Sequence, residues 1–158
     1  MRAALLRSFL LVLAGPALAG AGEVAYPDGY RDWNHVKSMV IGPGHPLYEA
    51  FGGIHHIYAN PPALEGYRSG TFPDGAVIVF DLLATEEADG AIVEGGRKVV
   101  GVMVRDQPAH AATGGWGFEA FSGDSTSERL VGGNAAEACF ACHEAQATPD
   151  FVFSTLRP

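Results

Sequence analysis

The apolar positions fall into short runs with strand-like composition, separated by glycine and proline. Residues 53–59 (GIHHIYA), 76–83 (AVIVFDLL), 98–105 (KVVGVMVR) and 116–121 (WGFEAF) are rich in β-branched and aromatic side chains, and each predicts a strand. Residues 30–40 (YRDWNHVKSMV) carry Trp33, Val36 and Val40 at spacings of three and four, which predicts a short amphipathic helix. Asn60 followed by Pro61 reads as a cap and first helical position, opening a helical turn that ends by Gly70. Breaker residues predict a loop at 42–46 (GPGHP) and a turn at Pro73-Asp74-Gly75. The polar stretches 86–96, 107–114 and 122–133 read as loops, the first of them also as a hairpin tip. Near the end, Asn134 as N-cap, Glu137 three residues on, and Ala135, Ala136, Ala138 and Ala141 predict a helix. An apolar segment, Phe151-Val152-Phe153, then packs back on the core. Together these elements predict an α+β domain, a small antiparallel sheet with flanking helices and a C-terminal helix.

The first 19 residues change the picture of the chain's destination. Arg2 and Arg7, an apolar stretch through Leu13, and Ala17-Leu18-Ala19 form the charged, hydrophobic and small-residue regions of a secretory signal peptide. The apolar run is too short for a membrane span, which takes about 20 residues. The expectation is an exported protein whose single domain occupies residues 20–158, with no membrane span once the signal is cleaved. The formal net charge is −8, and loss of Arg2 and Arg7 would take it to −10. So acidic a surface argues against nucleic acid as a partner and suits a basic redox partner protein.

The two cysteines of the chain stand in Cys139-Phe140-Ala141-Cys142-His143. C-x-x-C-H is the attachment pattern of c-type haem. On a helix, residues three apart share a face, so both thiols reach the vinyl groups of one porphyrin and His143 supplies the proximal iron ligand. The competing readings are a disulfide between the two cysteines, a thioredoxin-like redox pair, and half a zinc site. A redox pair belongs beside a βαβ unit, and a structural zinc site takes four ligands where this chain has one cysteine pair. With both cysteines assigned to haem and no G-x-S-x-G elbow present, hydrolase chemistry has no nucleophile to rest on.

The motifs taken together resemble the cytochrome P-460 family, including its cytochrome c′-beta branch. The likeness rests on Tyr30-Arg31-Asp32-Trp33, on Phe51-Gly52-Gly53-Ile54-His55-His56-Ile57-Tyr58 with Asn60-Pro61 following, and on Gly70-Thr71-Phe72-Pro73-Asp74-Gly75. It continues through Cys139-Phe140-Ala141-Cys142-His143 and Asp150-Phe151-Val152-Phe153. The resemblance implies a periplasmic, often dimeric, mostly β haem protein with His143 proximal. It also implies where to look for chemistry. The hydroxylamine-oxidising members carry a haem-crosslinking lysine at the position of Phe80, a distal arginine at that of His55, and a proton-accepting carboxylate at that of Gly101. All three differ here, which disfavours that oxidase activity. An aromatic residue near the distal face instead resembles the c′-beta branch, whose members bind nitric oxide or carbon monoxide under a hydrophobic cap.

A strand alternates its faces, so only one of His55 and His56 can look toward the haem, and the resemblance selects His55. It could ligate iron, donate a hydrogen bond to a bound ligand, or sit in a polar corner. Met103 shares a face with Gly101 and could be a sixth ligand or core filler; Phe80 and Ile78 likewise share a face. Gly101 inside its strand predicts close approach by something flat or bulky. His35, His45 and His110 are expected at the surface, and Trp116 and Phe118 in the core. The expectation is a mono-haem c-type cytochrome, dimeric and periplasmic, that binds a small diatomic ligand such as nitric oxide. The alternatives are an electron carrier with six-coordinate iron, through Met103 or His55, and an oxidase of small nitrogen compounds.

Overall fold

The computed structural model describes residues 22–157, and the signal peptide read at residues 1–19 lies outside them. The described chain is a meander of five antiparallel strands in sequence order: β1 (Asn34–Ile41), β2 (Gly53–Ala59), β3 (Val77–Ala88), β4 (Ala91–Arg105) and β5 (Trp116–Ser122). Two short helices interrupt the meander, α1 (Tyr48–Phe51) and α2 (Pro61–Ser69), and a C-terminal helix follows the sheet. The architecture is α+β, as the sequence predicts.

The segment read as the first helix is mostly strand. A single 3-10 turn, Tyr30–Asp32, precedes β1, and a register shift between His35 and Lys37 bulges that strand against β2. The bulge explains the misreading. It breaks strict alternation, so Val36 and Ile41 are both buried although five positions apart, while Val40, the last residue of the expected helical stripe, is 49% exposed. Residues 86–96 form the end of the long β3–β4 hairpin, which turns at Asp89-Gly90 in left-handed backbone (φ 52° and 79°).

α2 begins where Asn60 and Pro61 place it. The Asn60 side-chain oxygen accepts from Ala63 N–H at 3.0 Å and from Val77 N–H at 2.9 Å, so one residue caps α2 and ties it to β3. Gly70 closes the helix in left-handed conformation (φ 82°).

The sheet separates two apolar layers. One holds Ile57, Ala59, Ile78, Trp116 and Phe118 against α2, Phe72 and Val152; the other holds Val79, Val100, Val102 and Phe121 against Val24 and Tyr30. Cys139, Phe140 and Phe151 from the C-terminal helix and the segment after it pack on the first layer, together with Phe80 and Met103. This places the Cys-x-x-Cys-His segment and the strand residues singled out above around one core.

The C-terminal helix is less regular than its alanines predict. A π-helical turn, Ala136–Phe140, runs into an α turn, Ala141–His143, and then a 3-10 turn, Glu144–Gln146. Asn134 ends a preceding 3-10 turn, and no side-chain cap opens the helix. π-turns gather at functional sites, and here the wide turn contains Cys139 and the following one Cys142.

Candidate haem site

Strand pairing sets the strand residues of interest on three adjacent rungs of one sheet face. The first rung is His55–Leu82–Val99–Ser122, the second Ile57–Phe80–Gly101–Ala120, the third Ala59–Ile78–Met103–Phe118. Directly opposed residues share a face, so His55, Phe80, Gly101 and Met103 lie together, and His56 turns away to the other side. The Phe80 ring lies 4.5 Å from the His55 ring and 5.8 Å from Phe51, an aromatic from α1 that periodicity did not single out.

The middle of this face is bare. Val99, Gly101 and Met103 are half-exposed, whereas Val100 and Val102, on the opposite face of the same strand, are 0% and 2% exposed. A Cβ built on Gly101 would have only Phe80 atoms as its three nearest neighbours, at 3.5–3.7 Å, which is ordinary contact. Elsewhere the chain's own packing demands glycine: an added Cβ would strike the Leu83 carbonyl at Gly53 and the Phe72 ring at Gly66. No such neighbour demands it at Gly101, although glycine weakens a strand interior. The bare rung leaves room for a flat apolar group.

His55 is 6% exposed, and its Nδ1 atom has no hydrogen-bond partner. Burial, with a smaller contribution from His56, lowers its pKa to about 4. The ring is therefore neutral at physiological pH and offers one N–H and one lone pair. Because the folded pKa lies below the unfolded value near 6.5, the unfolded chain binds more protons between these limits, and stability falls as pH drops through that window. We expect His55→Leu to flatten the stability profile between pH 6.5 and 4 by on the order of 2 kcal/mol. Denaturant midpoints across that range, for both proteins, measure it; parallel profiles would refute the buried neutral ring.

The C-terminal side holds the other candidate histidine. The His143 ring is packed 5.0 Å from both Phe118 and Phe153, and its Nδ1 lies 2.8 Å from the Phe151 carbonyl oxygen. A carbonyl only accepts, so Nδ1 carries the proton and Nε2 keeps its lone pair. Burial lowers the His143 pKa, outweighing the opposing pull of that hydrogen bond, and so favours the neutral imidazole. A neutral imidazole with one nitrogen fixed by a carbonyl is the form in which histidine binds iron.

Both cysteines are free, Cys139 half-buried and Cys142 exposed. Burial raises the Cys139 pKa, with Glu119 and Cys142 adding to it. A thioredoxin-like pair needs a lowered one. Among the described residues no group of three or more His, Cys, Asp or Glu could hold a metal ion, which leaves the half zinc site without further ligands.

The family model Cytochrome P460 matches residues 27–154. The chain belongs to the cytochrome P460 family. No curated protein matches it. Membership in the cytochrome P460 family makes the protein a haem-binding cytochrome, and its own residues fit the group. They supply a bare apolar strip at Gly101 and Ala120, an orphaned buried His55 nitrogen, and a His143 held in its iron-binding tautomer.

Other expected positions stand as follows. Trp116 and Phe118 are core residues, 0% and 5% exposed. His35 and His45 are exposed as expected, but His110 is half-buried because its ring lies over the Gly117 backbone. Phe51 and the Phe151 carbonyl went unnoticed in the sequence. Phe51 ends the four-residue α1, too short to show periodicity, and a backbone carbonyl leaves no trace in residue type.

Proposed function

We propose that the protein is an exported mono-haem c-type cytochrome that reversibly binds a small diatomic ligand, nitric oxide foremost. The observation that carries the reading is the half-open apolar strip at Gly101, bordered by Phe80 and Met103, with the neutral His55 beside it. In this reading Cys139 and Cys142 hold the porphyrin by thioether bonds and His143 is the proximal ligand. Haem, when bound, would supply an iron able to take up a diatomic ligand. Phe80 and Phe51 keep water and anions from the pocket, because an apolar wall offers no hydrogen bonds in exchange for those they lose. His55 Nδ1 gives or takes one hydrogen bond without introducing charge, which suits a polarised neutral ligand. Met103 packs between Ile78 and Phe118 on its rung, which supports core filler over sixth ligand.

Phe80 and Gly101 are direct cross-strand partners. The resemblance sets the crosslinking lysine and the proton-accepting carboxylate of the oxidising members at these two positions, so a ring and a bare backbone stand where that chemistry would be done. The protein would act in the periplasm, as a homodimer, with an acidic surface suited to a basic redox partner. Among the described residues no helix is long and apolar enough to cross a membrane.

Optical spectra of the purified protein test the proposal. The expected result is a five-coordinate high-spin ferrous form that binds nitric oxide. Low-spin spectra in both oxidation states, abolished by Met103→Ala, would overturn it in favour of an electron carrier. A red-shifted ferrous Soret band with hydroxylamine turnover would overturn it in favour of an oxidase.

A further inference from the structure

The Phe151 carbonyl reaches His143 only because the backbone there is held in an unusual shape. Asp150 and Phe151 both adopt left-handed conformation (φ 46° and 65°), and neither is glycine. Such residues cost of order 1 kcal/mol each and persist where surrounding structure over-determines them. Several contacts fix this turn. The Asp150 carboxylate accepts from Phe72 N–H at 2.9 Å and lies 3.5 Å from the Arg105 guanidinium. The Asp150 carbonyl accepts from Trp116 Nε1 at 2.9 Å. Arg105 is itself tied down, donating to the Gly114 carbonyl at 2.5 Å and lying 5.6 Å over the Trp116 ring. One peptide further on, the Phe151 carbonyl accepts from His143 Nδ1 at 2.8 Å. The Phe151 ring closes against Gly114, where an added Cβ would lie 2.5 Å from it.

We propose that Asp150, with Trp116 and Arg105, is a positioning residue for the proximal histidine, setting the strength of the iron–His143 bond and the ease of iron reduction. The inference rests on the haem reading above. The chain of contacts runs from the sheet, through a buried indole N–H and a carboxylate shared with the α2–β3 connection, to a single carbonyl aimed at Nδ1. A hydrogen bond from Nδ1–H to that carbonyl raises the basicity of Nε2. A stronger donor at Nε2 favours the ferric state. Loosening the turn weakens the donor and favours the ferrous one. None of these residues has to touch the haem for this to hold.

The experiment compares wild type, Asp150→Asn and Trp116→Phe as haem-loaded proteins. Asp150→Asn keeps the size of the side chain and removes the charge that Arg105 faces. Trp116→Phe keeps an aromatic ring and removes one N–H. Tyr67→Phe, which deletes the half-buried 2.6 Å hydrogen bond to Ser154 at the edge of the same core, controls for general loosening. The readouts are the ferrous iron–histidine stretching frequency and the midpoint potential. We expect both variants to lower the frequency and raise the ferrous-to-ferric ratio at fixed poise by up to about tenfold, or 59 mV for one electron. Tyr67→Phe should lower stability and move neither. Variants that unfold at lower temperature while keeping wild-type frequency and potential would overturn the proposal. If Asp150→Asn fails to fold, Trp116→Phe alone decides. A wild-type protein that carries no haem would refute the haem reading instead, so the two failures are distinguishable.

Discussion

Cys139→Ala/Cys142→Ala should lose all covalently held haem. Wild-type protein denatured in acid and organic solvent is expected to keep its haem absorbance with the polypeptide, and the double variant to release every molecule of it. The effect is all or none because a thioether survives denaturation and axial ligation does not. The two positions should not be equivalent singly. Cys139 packs half-buried on the core beside Phe140, whereas Cys142 is exposed. A chain retaining only Cys139 therefore holds its one attachment point in place before the bond forms, and is expected to retain more haem than a chain retaining only Cys142. His143→Ala should keep covalent haem and change the spectrum, since it removes the ligand and leaves both thiols. Haem that stays with the denatured double variant would refute attachment at this motif.

How much of this was legible beforehand varies with the type of signal. Strands β2, β3, β4 and β5 followed from β-branched and aromatic runs, because packing on a pleated surface selects those side chains directly. β1 did not, because its bulge lets Val36 and Ile41 face the core at odd spacing. The C-terminal helix was legible as helix, but its π turn was not, since the same alanines suit either winding. At the site, residue types located Cys139, Cys142 and His143, and strand alternation separated His55 from His56. Register was the missing information. Only cross-strand pairing shows that Phe80 meets Gly101 and that Met103 meets Phe118. The turn at Asp150 was beyond reach altogether, for it depends on backbone dihedrals at two residues of ordinary type.

The far side of the sheet carries the largest stability effect, at a group that local periodicity marks as an anomaly. Asp81 interrupts the apolar run of β3 and is 0% exposed. Tyr30 Oη–H donates to it at 2.8 Å, Arg97 Nε–H donates at 2.7 Å, and Arg31 lies 3.8 Å away. Burial, and the bond to Asp81, push the Tyr30 hydroxyl pKa up, so it stays protonated and donates. Burial opposes the Arg97 charge and the Asp81 hydrogen bond outweighs it, so Arg97 stays cationic. Removing one partner leaves the other buried and uncompensated, which typically costs 3–5 kcal/mol. We expect Arg97→Met to destabilise the fold by about that amount, a fall of roughly 10 °C in Tm for a chain of this size. Asp81→Asn should cost less, because an amide oxygen still accepts from Tyr30 or Arg97 and Arg97 retains Asp124. Asp81→Leu/Arg97→Met should recover only part of the Arg97→Met loss, since an apolar pair replaces a desolvated ion pair at little net cost but leaves the buried Tyr30 hydroxyl without its acceptor. Thermal or denaturant unfolding of wild type, Asp81→Leu, Arg97→Met and the double variant closes the cycle. A cost below about 1 kcal/mol for Arg97→Met would place the pair among ordinary surface ion pairs. Phe80, the next residue, faces the opposite side of the sheet, so the haem spectrum of each folded variant should match wild type even where its Tm does not.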